Sequence, residues 1–316
     1  MTPVRPIRID IDSALSHMVQ TASVTEFKSC ADELRPKIEA ALDRLTQLGD
    51  GCPARLQDAI RYSVLAPGKR LRPLLVLLAN EACGGTIKEA MDAACAVEMV
   101  HAYSLIHDDL PSMDDDDLRR GRPTLHKAYD EATAILAGDA LLALAFEVLA
   151  TGVKPPSVAA VCCAELAKAA GGANLVGGQA DDLNIGGQPL SVETLGRIHA
   201  RKTGAMIQVA LRLGALVAGA TDVEQAAMEA FGARLGLAFQ ISDDLLDVRG
   251  DEATMGKRVG KDEDHGKLTF PGLLGVEESV RRAEQLVTDA CAVLDVFGER
   301  GARLVSTARF VVERDR

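Results

Sequence analysis

Three carboxylates stand inside an otherwise apolar helical run, and few architectures accommodate them: Phe239-Gln240-Ile241-Ser242-Asp243-Asp244-Leu245-Leu246-Asp247. Asp243 and Asp247 are four residues apart and share one helix face, with Asp244 about 100° round the axis. As an exposed stripe such acids would be ordinary. Here Ala238, Phe239, Ile241, Leu245 and Leu246 surround them on most sides, so the helix must bury its apolar surface while its acids meet something polar.

The rest of the chain reads as helix in the same way. Leu34, Ile38, Ala41, Leu42 and Leu45 recur at three- and four-residue steps until Gly49-Asp50-Gly51 stops the pattern. The spacing predicts further helices near 53–66, 72–83, 87–109, 125–150, 157–170, 191–217, 222–249, 270–275, 278–297 and 300–312. Pro67-Gly68, Gly84-Gly85, Pro155-Pro156, Gly186-Gly187 and Gly219 punctuate them. No run of alternating β-branched residues and no repeat of 20–50 residues is visible. Of the 316 residues 47% are apolar but only 3% aromatic, with no Trp, so the core must be built from Ala, Leu and Val in closely packed helices. The expectation is one all-α domain over residues 26–316, preceded by a loose arm over residues 1–25.

A formal charge of −11 repels nucleic acid and anionic lipid, so an anionic substrate would need a local basic patch. Seven scattered cysteines, with Cys162-Cys163 matching neither a zinc nor a redox spacing, read as free thiols of a reducing cytoplasm. The first twenty residues lack the apolar core of a signal peptide, and the apolar stretch Val209–Ala220 is interrupted by Arg212 and too short to span a bilayer. A soluble cytoplasmic protein without stable membrane insertion is expected.

A second acidic segment, His107-Asp108-Asp109-Leu110-Pro111-Ser112-Met113-Asp114-Asp115-Asp116-Asp117, packs six carboxylates into ten residues. Pro111 disfavours helix at Leu110, so the helix should end near Asp109 and the chain loop back, bringing Asp114 beside Asp108. Oxygen ligands so placed can bridge Mg²⁺. Taken alone, the run could equally be a solvated loop; with the second cluster, a paired cation site is the better reading. Basic residues stand near both: Arg119 and Arg120 after the first, Lys257, Lys261 and Lys267 after the second, with Gly68-Lys69-Arg70-Leu71-Arg72-Pro73 upstream and Lys202-Thr203-Gly204 inside a helix. Carboxylates for Mg²⁺ beside Arg and Lys for oxyanions are the apparatus of diphosphate chemistry. No GxxxxGK[ST] loop is present, so a nucleotide fold is not indicated.

These stretches resemble the trans-polyprenyl diphosphate synthase family, and most closely its bacterial-type farnesyl diphosphate synthase branch. The match runs in order through GKRLRP at 68–73, HAYSLIHDDLPSMDDDDLRRGRPTLH at 101–126, ILAGDALL at 135–142, GGQADDL at 177–183, KTG at 202–204, FQISDDLLDV at 239–248 and GKLTFPGLLG at 266–275. The resemblance implies the isoprenoid synthase fold, helices around a deep central cavity, and a homodimer. It implies that Asp108, Asp109, Asp114 and Asp243, with Asp244 and Asp247 less directly, hold about three Mg²⁺ ions on an allylic diphosphate. Arg119, Lys202, Lys257 and Lys267 would contact the same diphosphate. Isopentenyl diphosphate would bind without metal through Lys69, Arg72, His101 and Arg120, and Thr203 and Gln240 would lie beside the reacting carbons. Ser242 departs from the family, which often has Gln or Asn there.

The implied reaction is ionisation, condensation and elimination. Tyr103 and Ser104, five and four residues before Asp108, sit about one helical turn below it, and the resemblance implies that bulk there marks a farnesyl-length product. A geranylgeranyl diphosphate synthase would share every motif. A class I terpene cyclase normally mixes Asn or Asp with Ser and Glu in its second motif, and an inactive regulatory or scaffold subunit would be expected to have lost one Asp motif.

Overall fold

A computed structural model describes residues 11–183, 191–249 and 269–313 of the chain. Its helices are α1 Ile11–Leu45, α2 Ala54–Val64, α3 Leu71–Ala82, α4 Ile87–Asp108, α5 Leu125–Ala128, α6 Glu131–Gly152, α7 Pro156–Ala170, α8 Leu175–Leu183, α9 Val192–His199, α10 Ala205–Val217, α11 Asp222–Arg249, α12 Phe270–Leu274, α13 Val276–Ala292 and α14 Ala302–Glu313. A two-residue hairpin, β1 Leu118–Arg119 with β2 Arg122–Pro123, interrupts them.

Local chemistry sets the starts. At α4, Thr86 and Glu89 form a capping box, the Glu89 carboxylate accepting from the Thr86 amide at 3.0 Å. The helix expected over 125–150 divides because Asp130 leaves the helical conformation and caps α6, accepting from the Thr133 amide at 2.7 Å. Over 191–217 the pattern is broken by a π-helical turn, Ala200–Gly204, between α9 and α10. At the amino end α1 begins at Ile11, so residues 11–25 continue a helix where a loose arm was expected. The helix whose packed half lies against α14 and α4 simply propagates backward, since adding a residue to an existing helix costs far less than nucleating one.

The main core joins α1, α3, α4, α6, α7, α10, α11 and α14. α4 is its axis: buried Ala90, Ala93, Ala94, Ala96 and Val97 let α3, α6 and α10 approach closely. α10 meets α3 at Gly214, where an added Cβ would collide with the Val76 carbonyl; Asn80 donates to the Gly214 carbonyl at 3.1 Å. A smaller cluster, Leu195, Ile241, Leu245, Phe270 and Ala283, ties α9, α11, α12 and α13 together.

Two segments, Glu131–Gly152 and Pro156–Leu183, are long and apolar enough by length and composition to cross a membrane, contrary to the expectation that no stretch is. The packing explains the first: α6 lies between α4, α7 and α2, burying Ala134, Ala137, Leu141, Leu144 and Leu149. Its outer face still carries exposed Ile135 and Leu136.

Candidate active site

The first acidic segment folds back on itself. α4 ends at Asp108, Pro111 keeps the next residues out of the helix, and the Asp114 amide donates to the Asp108 carbonyl at 2.8 Å. Asp108 and Asp109 are buried, at 7% and 3% exposure, whereas Asp114 is half-buried. Burial pushes the Asp108 carboxyl above its usual range; Lys202 opposes the rise and the Asp114 charge adds to it. Asp109 is lifted to about 6, chiefly by burial, although Arg119 grips it through Nε at 2.8 and 2.9 Å and through Nη2 at 2.6 Å. Loss of solvent there outweighs the ion pair.

Lys202 and Thr203 ride on the π-helical turn. Such a turn adds a residue to the helix and re-aims side chains, and it recurs at functional sites. The Lys202 ammonium donates to Asp182 at 2.8 Å and lies 3.6 Å from Asp108 Oδ2. Burial works against its charge, yet Asp108 and Asp182 more than offset that and hold the ammonium above its usual range. The other oxygen of Asp108 accepts from Gln179 Nε2 at 3.0 Å. Arg201 pairs with Asp181. Gln179, Asp181 and Asp182 all belong to α8, which the sequence reading neither drew as a helix nor assigned roles. Their signal was the GGQADDL stretch itself: Gly178 abuts the π turn so closely that a Cβ would lie 2.5 Å from the Lys202 nitrogen.

On its other side the turn meets α11, where a Cβ on Gly236 would be 3.0 Å from the Gly204 Cα. Gln240, one turn further along α11, is buried, and Thr203 is half-buried. Of the second acidic cluster, Asp243 is half-buried and its charge acts on Arg72 of α3, while Asp244 and Asp247 are buried. The Asp244 carboxylate is engaged by the protein: it accepts from the Phe270 amide, the first of α12, at 2.8 Å and lies 3.7 Å from His199 Nε2. Capping a helix start in this way satisfies an amide that has no partner within its own helix.

The residues expected for isopentenyl diphosphate gather at the start of α3. Arg72 Nη1 lies 3.2 Å from His101 Nε2, and its buried Nε has no hydrogen-bond partner in the structure. Burial drives the His101 ring well below its usual range, and Arg72, Arg120, Arg119 and Arg70 push the same way. Arg120 donates to the Pro67 carbonyl at 3.0 Å, its guanidinium lying against Gly68, and Lys69 is exposed. A cavity of about 50 Å³ beside them is lined by His101, Arg119, Arg120, Tyr62 and Leu105. Arg70 caps α3 in the left-handed region at φ 51°, a conformation that costs a non-glycine residue roughly 1–2 kcal/mol. Tyr103 is buried on α4 with its ring edge-on to His107, centroids 5.8 Å apart; the Ser104 hydroxyl donates to the His101 carbonyl at 2.9 Å. Lys257 and Lys267 lie outside the described residues.

Among the described residues no three His, Cys, Asp or Glu side chains come close enough to form a ready metal site. Asp114 does return beside Asp108, as its amide bond and its charge on that carboxyl show, while Gln179 and Arg119 hydrogen-bond the Asp108 and Asp109 carboxylates and the Lys202 ammonium stands 3.6 Å from Asp108. The donor set still fits a hard divalent cation: it is all oxygen, and Asp108 and Asp109 are held in surroundings where an added cation would favour their ionised form.

This helical fold with its two acidic clusters and basic surroundings defines a prenyltransferase. The sequence model described as polyprenyl synthetase matches residues 53–292. The chain is 46% identical over 268 residues to the geranylgeranyl diphosphate synthase of Cyanophora paradoxa, covering 84% of this chain and 89% of that one. It is 44% identical over 288 residues to the farnesyl diphosphate synthase of Geobacillus stearothermophilus, covering 90% and 96%. The crystal structure of an FPP/GFPP synthase from Zymomonas mobilis superposes with a TM-score of 0.82 at 38% identity, covering 92% of this chain and 99% of that one. The chain belongs to the polyprenyl synthetase family, and its activity is that of a trans-prenyl diphosphate synthase.

Proposed function

We propose that the protein joins isopentenyl diphosphate to dimethylallyl and then geranyl diphosphate to give farnesyl diphosphate. The observation that carries this reading is the division of cations about α4. Arg119 and Lys202 stand with the buried carboxylates Asp109 and Asp108, whereas Arg72, His101 and Arg120 form a group supported by no first-motif carboxylate. One diphosphate site beside the first acidic motif and one away from it match an allylic substrate that must ionise and a partner that keeps its diphosphate.

Asp108, Asp109 and Asp114, with Asp243 and Asp247, would hold Mg²⁺, which when bound neutralises the charge that builds on the leaving diphosphate. Arg119 and Lys202 add fixed positive charge to the same group; one well-placed donor is worth about 3–4 kcal/mol in such a step. The allylic C–O bond breaks and its electron pair leaves with the diphosphate. The isopentenyl double bond supplies the electrons of the new C–C bond, and the departed diphosphate takes the proton that the product loses. Thr203 and Gln240 flank this place on the π turn and α11, and no covalent nucleophile is needed.

Tyr103, buried one turn below Asp108, supports a C15 product. A C20 product is the second reading, favoured by the relatives that are named geranylgeranyl diphosphate synthases. A homodimer through the exposed Ile135–Leu136 face of α6 is part of the proposal. The test is incubation with Mg²⁺, isopentenyl diphosphate and dimethylallyl diphosphate, followed by sizing of the products. Chiefly C15 is expected; chiefly C20 would overturn the chain length, and no condensation would point to an inactive subunit.

A further inference from the structure

Arg70 is almost wholly enclosed, its side chain 1% exposed, and it ties four elements together. Its Nη1 donates to Glu98 of α4 at 2.7 Å, its Nε and Nη2 to Glu39 of α1 at 2.7 and 3.1 Å, and Nη2 also to the carbonyls of Val64 and Ala66 at 2.8 and 2.9 Å. The backbone holds the left-handed conformation at this one position between Lys69 and Arg72. Buried ion pairs of this kind seldom exceed a well-packed apolar substitute in stability, so their presence asks for another reason.

The reason lies in the charges around Glu98. Its side chain is 4% exposed and it stands three residues before His101 on α4. Of the carboxylates, it exerts the strongest attraction on both Arg72 and Arg120. Arg72 meanwhile keeps an unpartnered buried Nε and faces His101. A Glu98 without Arg70 would be a buried, uncompensated anion whose nearest remedies are the cations assigned to isopentenyl diphosphate.

We propose that Arg70 is a positioning residue that occupies Glu98, so that Arg72 and Arg120 remain directed at the diphosphate of the homoallylic substrate. The inference rests on the assignment of Arg72, His101 and Arg120 to that substrate. Without Arg70, Glu98 competes with the diphosphate for the same guanidinium groups, and the defect falls on one substrate only.

The experiment is steady-state kinetics of the purified full-length enzyme with both substrates varied, alongside thermal melting. Arg70→Met should raise KM for isopentenyl diphosphate about tenfold or more, while KM for the allylic substrate stays within about twofold. Adding Glu98→Gln should restore most of the affinity for isopentenyl diphosphate although it removes a further buried interaction, a coupling that loss of structure alone would not give. Arg70→Lys, which keeps the charge beside Glu98 but loses the carbonyl contacts, should melt earlier with a near-normal KM, and it carries the test if Arg70→Met does not fold. A wild-type KM in Arg70→Met, equal rises for both substrates, no rescue by the second change, or a raised isopentenyl KM in Arg70→Lys each overturns the proposal. Arg72→Met is the separate control: if it leaves isopentenyl diphosphate affinity unchanged, the substrate assignment fails whatever Arg70 does.

Discussion

Arg119 and Arg120 are adjacent in the chain yet serve opposite sides of the site: Arg119 grips Asp109 at 2.6–2.9 Å, and Arg120 donates to the Pro67 carbonyl 3.0 Å away. The hairpin enforces this. Arg119 pairs with Arg122, and the two residues between, Arg120 at φ 55° and Gly121 at φ 73°, form a tight turn of the hand that matches strand twist. Arg119→Ala should therefore weaken mainly the allylic substrate and Arg120→Ala mainly isopentenyl diphosphate. Each loss should be about 1.5–3 kcal/mol, roughly 10- to 150-fold in affinity. Titration calorimetry of each variant with each substrate checks the split.

Asp108 and Asp243 are expected to be needed for ionisation rather than for isopentenyl diphosphate binding. Asp108→Ala or Asp243→Ala should lower turnover by about 10²-fold or more, and chelation of divalent cations by EDTA should abolish it in the wild type. Near-normal turnover in either variant would remove the cation role from that carboxylate.

His101 is kept neutral by burial and by the guanidinium groups around it. Its folded pKa lies below the unfolded value, so the unfolded chain takes up the proton first and stability should fall as pH drops below about 6.5. A bound diphosphate would reverse the local charge and raise that pKa. Isopentenyl diphosphate binding should accordingly take up more protons in the wild type than in His101→Asn, measured by calorimetry at one pH in buffers of different ionisation enthalpy. Equal proton uptake would separate His101 from the diphosphate.

Gly178 lets α8 touch the π turn, since a Cβ would stand 2.5 Å from the Lys202 nitrogen and 2.7 Å from its Cα. Gly178→Ala should displace Lys202 from Asp108 and Asp182, with about 1–3 kcal/mol lost in stability by overpacking. Turnover should drop more than affinity for isopentenyl diphosphate, which binds elsewhere. Melting temperature and kinetics of the folded variant decide this.

Tyr103→Ala should move the product from C15 to C20 or longer with ionisation intact, if the ring forms the floor beneath Asp108. An active variant with an unchanged product distribution would assign Tyr103 to packing against His107 instead, the contact its ring makes at 5.8 Å.

The sequence by itself determined the helical class, the two acidic clusters and most of the basic residues near them, because apolar periodicity and local charge density are properties of neighbouring residues. The loop that returns Asp114 to Asp108 was legible for the same reason: Pro111 acts on the residue beside it. What the tertiary structure decided involves partners distant in sequence. Gln179 meets Asp108 across 71 residues and Asp182 meets Lys202 across 20, so nothing local marks either. Helix spacing set Asp244 about 100° round from the face that Asp243 and Asp247 share, but only the packing shows that this direction carries it to the Phe270 amide, 26 residues on. The π turn under Lys202 was invisible because Ala200-Arg201-Lys202-Thr203-Gly204 carries no turn signal that local spacing could read, and only the tertiary structure shows α8 and α11 approaching it closely at Gly178 and Gly236. Periodicity fixes which face of a helix is buried; which atoms meet on that face is set by how the other helices pack against it.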